Sequence, residues 1–550
     1  MPYTFSTLSP ERVHANRFFH IFDLLNQIIV TMRKLTLIFV LAVFLSVSSY
    51  SGGLVTNTNQ SAAWVRLLVR DASLGIDAVY YNPAGLGYLS NGFHLSLNNQ
   101  FITQNKDVTN SFALLNQDKY HGAVSAPLFP GIYAAYKMDK LVFSFGFNPV
   151  GGGGGATYED GMPMFAMPIS ELVPMMSGLG VTDYSYDVFF EGTSIFFGAQ
   201  LGVTYSISDM VSVYAGARYV FANNTYNGYL RDVAVIAGGE AIAPGTLLTN
   251  TANTLYATAE NLQPIIDGGY GGLTLEEAEG FGIIDSDTRA QLEAGATSIG
   301  LNPETASITV LQGGFAAAGD QTSIQAAAVT EATADQEVDA KQTGSGIAPI
   351  LGIHFRPSEM FDVAIKYEFK TSMTLTNETA VDGTGMFPDG EEIASDMPAM
   401  LSVGANFRPV SGLTLSGGFH YYFDKAADYG RTYGGVPVAN DEIIDKNYWE
   451  AGLGVEYMFS DKFGASVGFL RAQTGVNEKY QSDLTYSLVS NTLGGGIVYS
   501  LNDRISLNLG AGYAMYETQT LDYTHDVLGD YTKTYYKDAL FIGVGLDFSF

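Results

Sequence analysis

Apolar and polar residues alternate along many short segments of this chain, and this alternation constrains the fold more than any other feature. In residues 361–370, FDVAIKYEFK, every second residue is apolar and the residues between are charged or small. Residues 448–459, YWEAGLGVEYMF, show the same period with Gly and Glu on the second face. A period of two is typical of β-strands. An apolar face opposite a polar or small-residue face fits a strand with lipid outside and a wet lumen inside.

Fourteen segments of this kind can be counted, and the connections between them alternate strictly between short and long. The predicted strands are 93–104, 128–137, 140–149, 194–206, 211–230, 345–356, 361–376, 398–408, 413–423, 447–459, 463–473, 488–501, 505–518 and 537–550. A soluble β-sandwich has no reason to keep its long loops at one end. An even strand count with this alternation is the plan of an outer-membrane barrel. We therefore predict an all-β fold, a transmembrane antiparallel β-barrel of about 14 strands over residues 93–550.

Composition and charge exclude several other classes. The chain has no Cys, which excludes disulfides and thiolate metal sites. Its net charge of -29 argues against nucleic acid as a partner, because phosphate binding needs an excess of Lys and Arg. The seven His show no metal-ligand spacing, and the glycine run at 151–155 lacks the Lys-Ser/Thr pair of a phosphate loop. We predict no cofactor, no metal and no enzymatic activity; the GASVG match at 464–468 lies within a strand rather than a strand-to-helix turn.

The N-terminal region predicts export. Met32-Arg33-Lys34 precedes the apolar run 35–47, and small residues at Ser49 and Ser51 suit a cleavage site before Gly52. This is the pattern of a secretory signal peptide over 32–51, and its apolar run is short for a membrane-spanning helix. Residues 1–31 are then an upstream mis-start. The alternative is an uncleaved anchor that also uses the apolar run 18–30.

Residues 52–92 precede the first strand without alternation, yet they are strongly apolar. They contain Leu54, Trp64, Val65, Leu67 and Leu68. Burying such side chains is worth about 1.5–3 kcal/mol each. A fourteen-strand lumen is too wide for wall side chains to fill. We therefore predict that this segment is an N-terminal hatch that plugs the lumen.

The order of these features resembles the FadL/TodX family of outer-membrane transporters. The likeness rests on a signal, an apolar N-terminal segment, the stretch DAVYYNPAGL at 77–86 and fourteen strands. It implies that Asn82, Pro83 and Ala84 match the family's hatch motif; the alternative is an ordinary turn into the first strand. It also implies passive uptake of hydrophobic small molecules, either long-chain fatty acids or aromatic hydrocarbons. Arg66 and Arg70 depart from a uniformly apolar hatch, and loop 231–344 is longer than the family needs.

A break in the third strand marks a candidate lateral gate. Asn148 and Pro149 interrupt its alternation and five glycines follow, and Pro cannot donate to a sheet ladder. The resemblance implies a kink through which ligand leaves sideways toward the bilayer. The alternative is a flexible start to an external loop. The predicted gate residues are Asn148, Pro149, Gly151, Gly152 and Gly153.

Candidate ligand groups follow from the alternation. Arg218, Lys366 and Tyr214 point inward on their strands, and Leu54 belongs to the hatch. A carboxylate ligand needs such a cation. The alternative is a mixed-charge lumen that ties the hatch to the wall, which leaves neutral aromatic or alkane ligands equally compatible.

The long loop 231–344 and the C-terminus complete the predictions. The loop contains 16 acidic and 3 basic residues, and it has two short helical patterns with Thr274 and Ser286 as N-caps. It is either a solvated, partly disordered loop or a lid that presents apolar helix faces to a ligand.

The terminal Phe550 resembles the signal read by the outer-membrane assembly machinery. We expect a monomer in the bacterial outer membrane, surrounded by its lipid; a polar porin or a surface adhesin are the rival functions.

Overall fold

The computed structural model describes residues 53–433 and 436–550. The predicted mis-start at 1–31 and the predicted signal peptide at 32–51 lie outside the described residues.

Fourteen antiparallel strands form a closed barrel. In chain order, with the six short strands of the connections included, the strands are β1 Gly92–Asn110, β2 Lys119–Met138, β3 Leu141–Tyr158, β4 Val181–Ser206, β5 Val211–Ala237, β6 Glu240–Ile242, β7 Gln336–Ser358, β8 Phe361–Glu368, β9 Thr374–Asp382, β10 Glu392–Ala394, β11 Met400–Phe407, β12 Leu413–Tyr422, β13 Thr432–Tyr433, β14 Val436–Pro437, β15 Trp449–Met458, β16 Phe463–Gln473, β17 Ser490–Asn502, β18 Ile505–Tyr516, β19 Gln519–His525 and β20 Gly529–Ser549. The six short strands are β6, β9, β10, β13, β14 and β19. The last barrel strand pairs with the first, from His94 opposite Ser549 to Asn110 opposite Lys533, and this pairing closes the ring. The predicted fold class is confirmed.

Several strands are longer than predicted, mainly at the end that joins a long connection, whereas β8, predicted to run to 376, ends at Glu368. Strand β1 continues from 105 to 110, and β2 begins at 119 rather than 128. The sequence there, QNKDVTN, has polar residues on both faces. Hydrophobic alternation marks only the part of a strand whose outer face meets lipid, so it ends before the backbone ladder ends.

The N-terminal segment 53–91 lies inside the ring. It forms two short helices, α1 Ala62–Leu67 and α2 Ala78–Tyr81, and a 3-10 helix Pro83–Tyr88. Nearly all of its side chains as far as Leu86 are buried. Asn59 bonds to Gln100 of β1, while Arg66 bonds to Asn508 of β18 and Asn82 to Ile353 of β7. Contacts with inner faces around the ring place this segment in the lumen.

Glycines on the inner faces of the strands make room for helix α1. A Cβ atom on Gly510 would lie 2.8 Å from the backbone N of Arg66. A Cβ atom on Gly494 would lie 2.5 Å from the carbonyl oxygen of Val65. Such distances are closer than real Cβ atoms allow. The small-residue face in the sequence therefore reflects close packing of a plug against the wall.

Residues 168–187 and 230–335 form a separate helical unit with its own core. Its larger helices are α5 Pro244–Ile265, α6 Leu275–Gly280, α7 Ser286–Ser298 and α8 Ile308–Ala332. In α8, Leu311 and Phe315 lie one turn apart and are fully buried, together with Leu275 and Ala296 of neighbouring helices. The segment predicted as a long loop is thus largely helical. The sequence did not reveal this, because only a few large apolar residues recur at helical spacing among many Ala and Thr.

The two predicted helix caps have different outcomes. The Thr274 hydroxyl accepts a hydrogen bond from the backbone N–H of Glu277, and the Glu277 carboxylate accepts one from the backbone N–H of Thr274, which makes a capping box. Ser286 as N-cap was wrong: Asp285 caps α7, with its carboxylate accepting from Thr288 N at 2.8 Å. Asp285 precedes the helix by one residue and is as good an N-cap as Ser.

The remaining helices are short and lie in the connections. They are α3 Pro163–Ser170, α4 Leu172–Met175 and α9 Asn440–Ile443, with 3-10 turns at Ser177–Leu179, Asp424–Ala426 and Glu478–Tyr480 and a π-type turn at Ile266–Tyr270. Among the described residues, no helix combines the length and the apolar character needed to cross a membrane. Phe550 donates its backbone N–H to Phe93 O at 2.9 Å and leaves its ring largely exposed. Its part in assembly stays a prediction.

Candidate functional site

The barrel wall has a gap between β2 and β3. These strands pair from Met138 opposite Leu141 to Ile132 opposite Phe147, and again at Val124 opposite Ala156 and Ala123 opposite Thr157. Between these two stretches, residues 125–131 and 148–155 form no ladder pairs with each other. Three prolines lie in these stretches, Pro127 and Pro130 on β2 and Pro149 on β3, and each lacks the N–H that a ladder requires.

Sequence reasoning located only the β3 side of this gap. The stretch SAPLFPG at 125–131 carries the matching signal on β2, since two prolines three residues apart are unusual in a strand. They were overlooked because the predicted strand began at 128 and left Pro127 in a loop. Both sides of the gap can therefore be predicted from the sequence once β2 is extended to begin at 119.

In place of β2, the N-terminal segment pairs with β3. Thr56 forms an antiparallel bridge with Gly151, and Asn57 N donates to Val150 O at 2.8 Å. Gly152 N donates to Val55 O at 3.0 Å. Gly152 has a φ of +85°, which favours glycine, and a Cβ on Gly151 would lie 2.5 Å from Val55 O. The glycines here allow the plug backbone to approach the wall backbone directly.

The gap is lined mainly by apolar side chains. It holds a small cavity of about 30 Å³ beside Ala126, Leu128, Phe129 and Phe197, with Asn57 of the N-terminal segment at its inner side. Leu128 is 72% exposed on the outer surface. Phe197 stacks on Phe147 with ring centroids 5.7 Å apart. The predicted gate residues Asn148 to Gly153 thus lie at an interrupted, apolar part of the wall.

Gln60 connects the gate residues to the rest of the plug. Its side-chain oxygen accepts from Asn148 Nδ2 at 2.6 Å, and its Nε2 donates to Pro149 O at 2.8 Å. Its backbone N donates to Tyr81 OH at 2.9 Å, and its carbonyl accepts from Tyr133 OH at 2.7 Å. Sequence reasoning missed Gln60, because nothing in its local pattern distinguishes it from the other polar residues at 56–61.

The Asn82-Pro83-Ala84 motif is fixed to three strands. Asn82 Oδ1 accepts from Ala84 N at 3.2 Å and so starts the 3-10 helix, while its Nδ2 donates to Ile353 O of β7 at 3.2 Å. Thr204 of β4 donates to Pro83 O and Ser212 of β5 to Ala84 O, each at 2.6 Å. The motif therefore folds the chain back against the wall, and its role in gating stays a prediction.

The predicted ligand cations are engaged with the plug and with each other. Buried Arg218 pairs with Glu368 and donates to Gln200 Oε1 at 2.7 Å, with its guanidinium 4.9 Å from the centre of the Tyr80 ring. Lys366 donates to Tyr80 O at 3.0 Å and lies 3.6 Å from Glu368.

The other two predicted ligand groups are also buried. Tyr214 OH accepts from Gln200 Nε2 at 3.2 Å, and Leu54 is buried near the plug's start. These contacts match the alternative, a mixed-charge lumen that ties the plug to the wall. A ligand role for these four residues stays a prediction.

Further charged groups bind the plug to the wall. His420 of β12 lies 2.5 Å from Asp71 of the plug and 3.1 Å from Glu450 of β15. Arg66 of α1 pairs with Glu456 and donates to Asn508 Oδ1 at 3.0 Å. Arg66, one of the two cations that do not fit a uniformly apolar hatch, thus forms an ion pair with the wall.

Arg70 pairs with Asp77 within the plug, at 2.7 and 2.8 Å. Burial alone would raise the pKa of Asp77, but Arg70 and the hydroxyls of Ser73 and Ser61 together lower that pKa below its ordinary value. Asp77 is therefore held ionised inside the lumen. No group of three His, Cys, Asp or Glu side chains in the described part of the chain could hold a metal ion.

Comparison with solved structures identifies the fold. The chain matches a Pseudomonas aeruginosa FadL homologue with a TM-score of 0.54 at 12% identity, over 91% of this chain and all of that one. It also aligns with the P. putida toluene transporter TodX (TM-score 0.46, 13% identity, 86% of this chain and 94% of that one) and the Ralstonia pickettii toluene transporter TbuX (0.44, 15%, 86% and 94%). No family model and no curated protein matches the sequence. At this identity the likeness is one of fold, and the predicted resemblance to the FadL/TodX family is confirmed at that level.

Proposed function

We propose that the chain is an outer-membrane channel for the passive uptake of hydrophobic small molecules. A ligand enters the lumen from the long-loop end, the N-terminal segment moves, and the ligand leaves sideways between β2 and β3. The match to a FadL homologue supports this proposal through its fold.

The observation that carries the proposal is the exchange of strand partners at β3. Residues 150–152 bond to residues 55–57 of the plug where β2 should pair. On the side that faces β2, residues 150–152 have no other backbone partners among the described residues. A movement of residues 55–57 therefore leaves that side of β3 unpaired. Unpaired backbone cannot face lipid without cost, so such an opening needs either a cover or a ligand. The plug supplies the cover in this structure.

The filled lumen argues against a polar porin, which needs an aqueous channel. Trp64, Tyr80 and Tyr81 are almost completely buried in the plug. Each contributes a large apolar surface that water would have to replace if the plug left. We therefore expect a low ion conductance from the intact protein.

Blocking the wall gap tests this function. Ala126 lines the gap and is half-buried, so Ala126→Trp should fill the opening and reduce uptake of a labelled apolar probe such as toluene by at least tenfold. Ala134→Trp is the matched control, since Ala134 is equally half-buried on β2 but pairs with Phe145 in the closed part of the wall. Folding is checked by the heat-dependent gel mobility of the barrel. Undiminished uptake by a folded Ala126→Trp barrel would rule out exit through this gap.

A further inference from the structure

A histidine on the inner face of the barrel lies between two carboxylates. His420 of β12 is directly opposite Glu450 of β15 in the strand register, and its Nδ1 lies 3.1 Å from Glu450 Oε2. Its Nε2 lies 2.5 Å from Oδ1 of Asp71 in the plug. None of the three side chains is more than 8% exposed. We call these three residues the buried triad, and it joins the plug to the wall.

The geometry fixes the protonation state of His420. An ionised carboxylate accepts hydrogen bonds and donates none, so a ring nitrogen that faces one needs a proton of its own. Because both ring nitrogens of His420 face carboxylates, the ring is in its doubly protonated, cationic form. Glu450 also accepts a hydrogen bond from Tyr422 OH at 2.8 Å, which favours the ionised form of this carboxylate. The triad is thus one cation shared by two anions.

The barrel wall has a notch that admits Asp71. Gly404 of β11 and Gly418 of β12 are paired in the strand register. A Cβ atom on Gly404 would lie 2.4 Å from Asp71 Cβ, and one on Gly418 would lie 2.2 Å from Asp71 Oδ2. Real Cβ atoms do not approach other atoms so closely. The two glycines therefore let the Asp71 carboxylate reach His420, and they fix this part of the plug against the wall.

Glu450 connects the triad to the first residues of the plug. We define the arm as residues 53–60. Thr58 of the arm donates a hydrogen bond to Glu450 Oε2 at 3.3 Å. Tyr422 OH donates to the same oxygen, and a Cβ atom on Gly53 would lie only 2.9 Å from Cδ1 of the Tyr422 ring. Glu450 therefore supports the arm at two places, directly at Thr58 and through Tyr422 at Gly53.

The arm and the rest of the plug are held by bonds of different strength. The arm, GLVTNTNQ, contains no charged residue. Three of its buried polar atoms have no hydrogen-bond partner among the described residues: Thr56 Oγ1, Asn57 Oδ1 and Asn59 Oδ1. Residues 61–88 contain the charged side chains of the plug, and each of these forms an ion pair: Arg66, Arg70, Asp71 and Asp77. Charged hydrogen bonds are roughly twice as strong as neutral ones, so the arm leaves the wall at the lowest cost.

The arm also contains the cover of the wall gap. Thr58 directly follows residues 55–57, which bond to residues 150–152 of β3. A shift of Thr58 away from Glu450 therefore moves the backbone that covers the gap. The Glu450 carboxylate thus lies between a partner on the wall, His420, and a partner on the movable arm, Thr58.

We propose that His420 is a positioning residue for the cover of the wall gap. Its positive charge holds the Glu450 carboxylate in place, and Glu450 holds the arm over the gap, while Asp71 keeps residues 61–88 fixed. Loss of that charge leaves two buried carboxylates without a cation between them, so Glu450 turns away or takes up a proton. Either change weakens its hydrogen bond to Thr58. The inference rests on the proposed uptake function, because it concerns how that function's exit is kept closed.

The first test is spectroscopic and uses the full-length protein with 15N-labelled histidine rings. An ordinary histidine side chain is neutral at pH 8, since its pKa is about 6.5. We expect the signals of His420, assigned by their absence in His420→Gln, to show two protonated ring nitrogens at this pH. A neutral His420 ring at pH 8 would overturn the proposal.

Hydrogen exchange then separates positioning from a purely structural role. In His420→Gln, the amides at 55–57 and 150–152 should exchange at least tenfold faster, while those of α1 at 62–67 should change less than twofold. His420→Lys restores a cation at this position and should bring exchange at 55–57 back to within about threefold of the unmodified protein. His121→Gln is the matched control, because His121 also lies 2.6 Å from a carboxylate but is exposed.

Two exchange results would contradict the proposal. Equal acceleration of the arm and of α1 in His420→Gln would make His420 a structural residue of the whole plug. Exchange in His420→Lys as fast as in His420→Gln would show that its charge is not what positions the arm. If His420→Gln does not fold, Glu450→Gln replaces it, since it removes one anion of the triad and keeps the shape. Unchanged exchange at 55–57 in Glu450→Gln would then overturn the proposal.

These measurements are independent of transport. Undiminished uptake by Ala126→Trp would remove the proposed exit through the gap, whereas the ring protonation and the exchange rates would still report whether His420 positions the arm. Conversely, a neutral His420 ring together with reduced uptake by Ala126→Trp would overturn the role of His420 and leave the exit in place. The failure of one proposal is therefore distinguishable from the failure of the other.

Discussion

The side chain of Gln60 receives a hydrogen bond of 2.6 Å from Asn148, and it returns one of 2.8 Å to the carbonyl of the adjacent Pro149. One amide of the plug thus satisfies the side-chain amide of Asn148 and the carbonyl of Pro149 at the break in β3. Pro149 cannot donate to a neighbouring strand, and β2 does not pair with it. The stability of the closed wall therefore depends on a residue that is 88 positions away in sequence from Asn148.

Gln60→Leu should loosen the cover of the gap without unfolding the barrel. It leaves the Asn148 amide and the Pro149 carbonyl buried without partners, each costing about 1–3 kcal/mol. Hydrogen exchange of residues 55–57 and 150–152 should therefore accelerate at least tenfold. Asn105→Leu, which removes an exposed side-chain bond to Asp538, is the control and should leave these amides unchanged. Equal protection in the Gln60 and Asn105 variants would show that Gln60 does not hold the cover.

Asn82→Ala should free the end of the plug from the wall. It removes the side-chain cap of the 3-10 helix and the bond to Ile353 O. Loss of such a cap costs about 1 kcal/mol, and a fivefold change in local opening corresponds to that value. Exchange of the amides at 84–89 reports it. Protection that matches the unmodified protein would contradict an anchoring role for this motif.

The barrel fold of this protein could be predicted from the sequence, but the gap between β2 and β3 could be predicted only on its β3 side. Alternation locates all fourteen strands because lipid selects one apolar face, as in 361–370. It fails at 105–110 and 119–127, where the inner face is buried but the outer face carries polar or small residues instead of large apolar ones. Lys106 lies in the part of β1 that alternation did not identify, so the predicted cations were Arg218 and Lys366. Those two are paired with Glu368, and pairing across strands depends on a register that alternation alone does not fix.

The helical unit shows a second limit of sequence reasoning. Its helices have few large apolar residues among many Ala, Thr and Gly, so α5 and α8 lack a strong apolar stripe. Their core depends on contacts between helices, such as that of Leu311 and Phe315 with Leu275. Of the two predicted caps, Thr274 follows a capping-box pattern and was placed correctly, while Ser286 was predicted one residue after the actual cap, Asp285. Asp285→Ala should therefore destabilise α7 by about 1 kcal/mol and Ser286→Ala much less, as measured by exchange of the amides at 287–290.

The plug should loosen in acid through Asp77. Its pKa is lower in the folded protein than its ordinary value of 3.8, so the carboxylate stabilises the plug above that value. This stability is lost as the pH falls through the folded pKa. Trp64 of helix α1 reports the change in a Trp449→Phe variant, since the chain has two Trp. We expect its emission to shift to the red below about pH 4.

Asp77→Asn separates this effect from general acid unfolding. It removes the charge that Arg70 pairs with, so the plug should already be loosened at pH 7 and its acid transition should disappear. Asp209→Asn, in the exposed turn between β4 and β5, is the control and should retain the transition. An identical acid transition in the Asp77 and Asp209 variants would assign the effect to other groups.

Gly510→Val should displace the plug while leaving the barrel intact. A Cβ atom at this position would lie 2.8 Å from Arg66 N and 2.9 Å from Val65 Cγ1, so helix α1 has to move away from the wall. Overpacking of this kind typically costs about 1–3 kcal/mol. We expect the plug to shift rather than the barrel, because a closed ladder of strands is harder to distort. We expect the ion conductance of the variant in planar bilayers to rise at least tenfold as water enters the lumen. Gly417→Val is the control, since its Cβ would make only an ordinary contact of 3.6 Å with Leu453. A folded Gly510→Val barrel that stays as closed to ions as the control would mean that the plug does not seal the lumen.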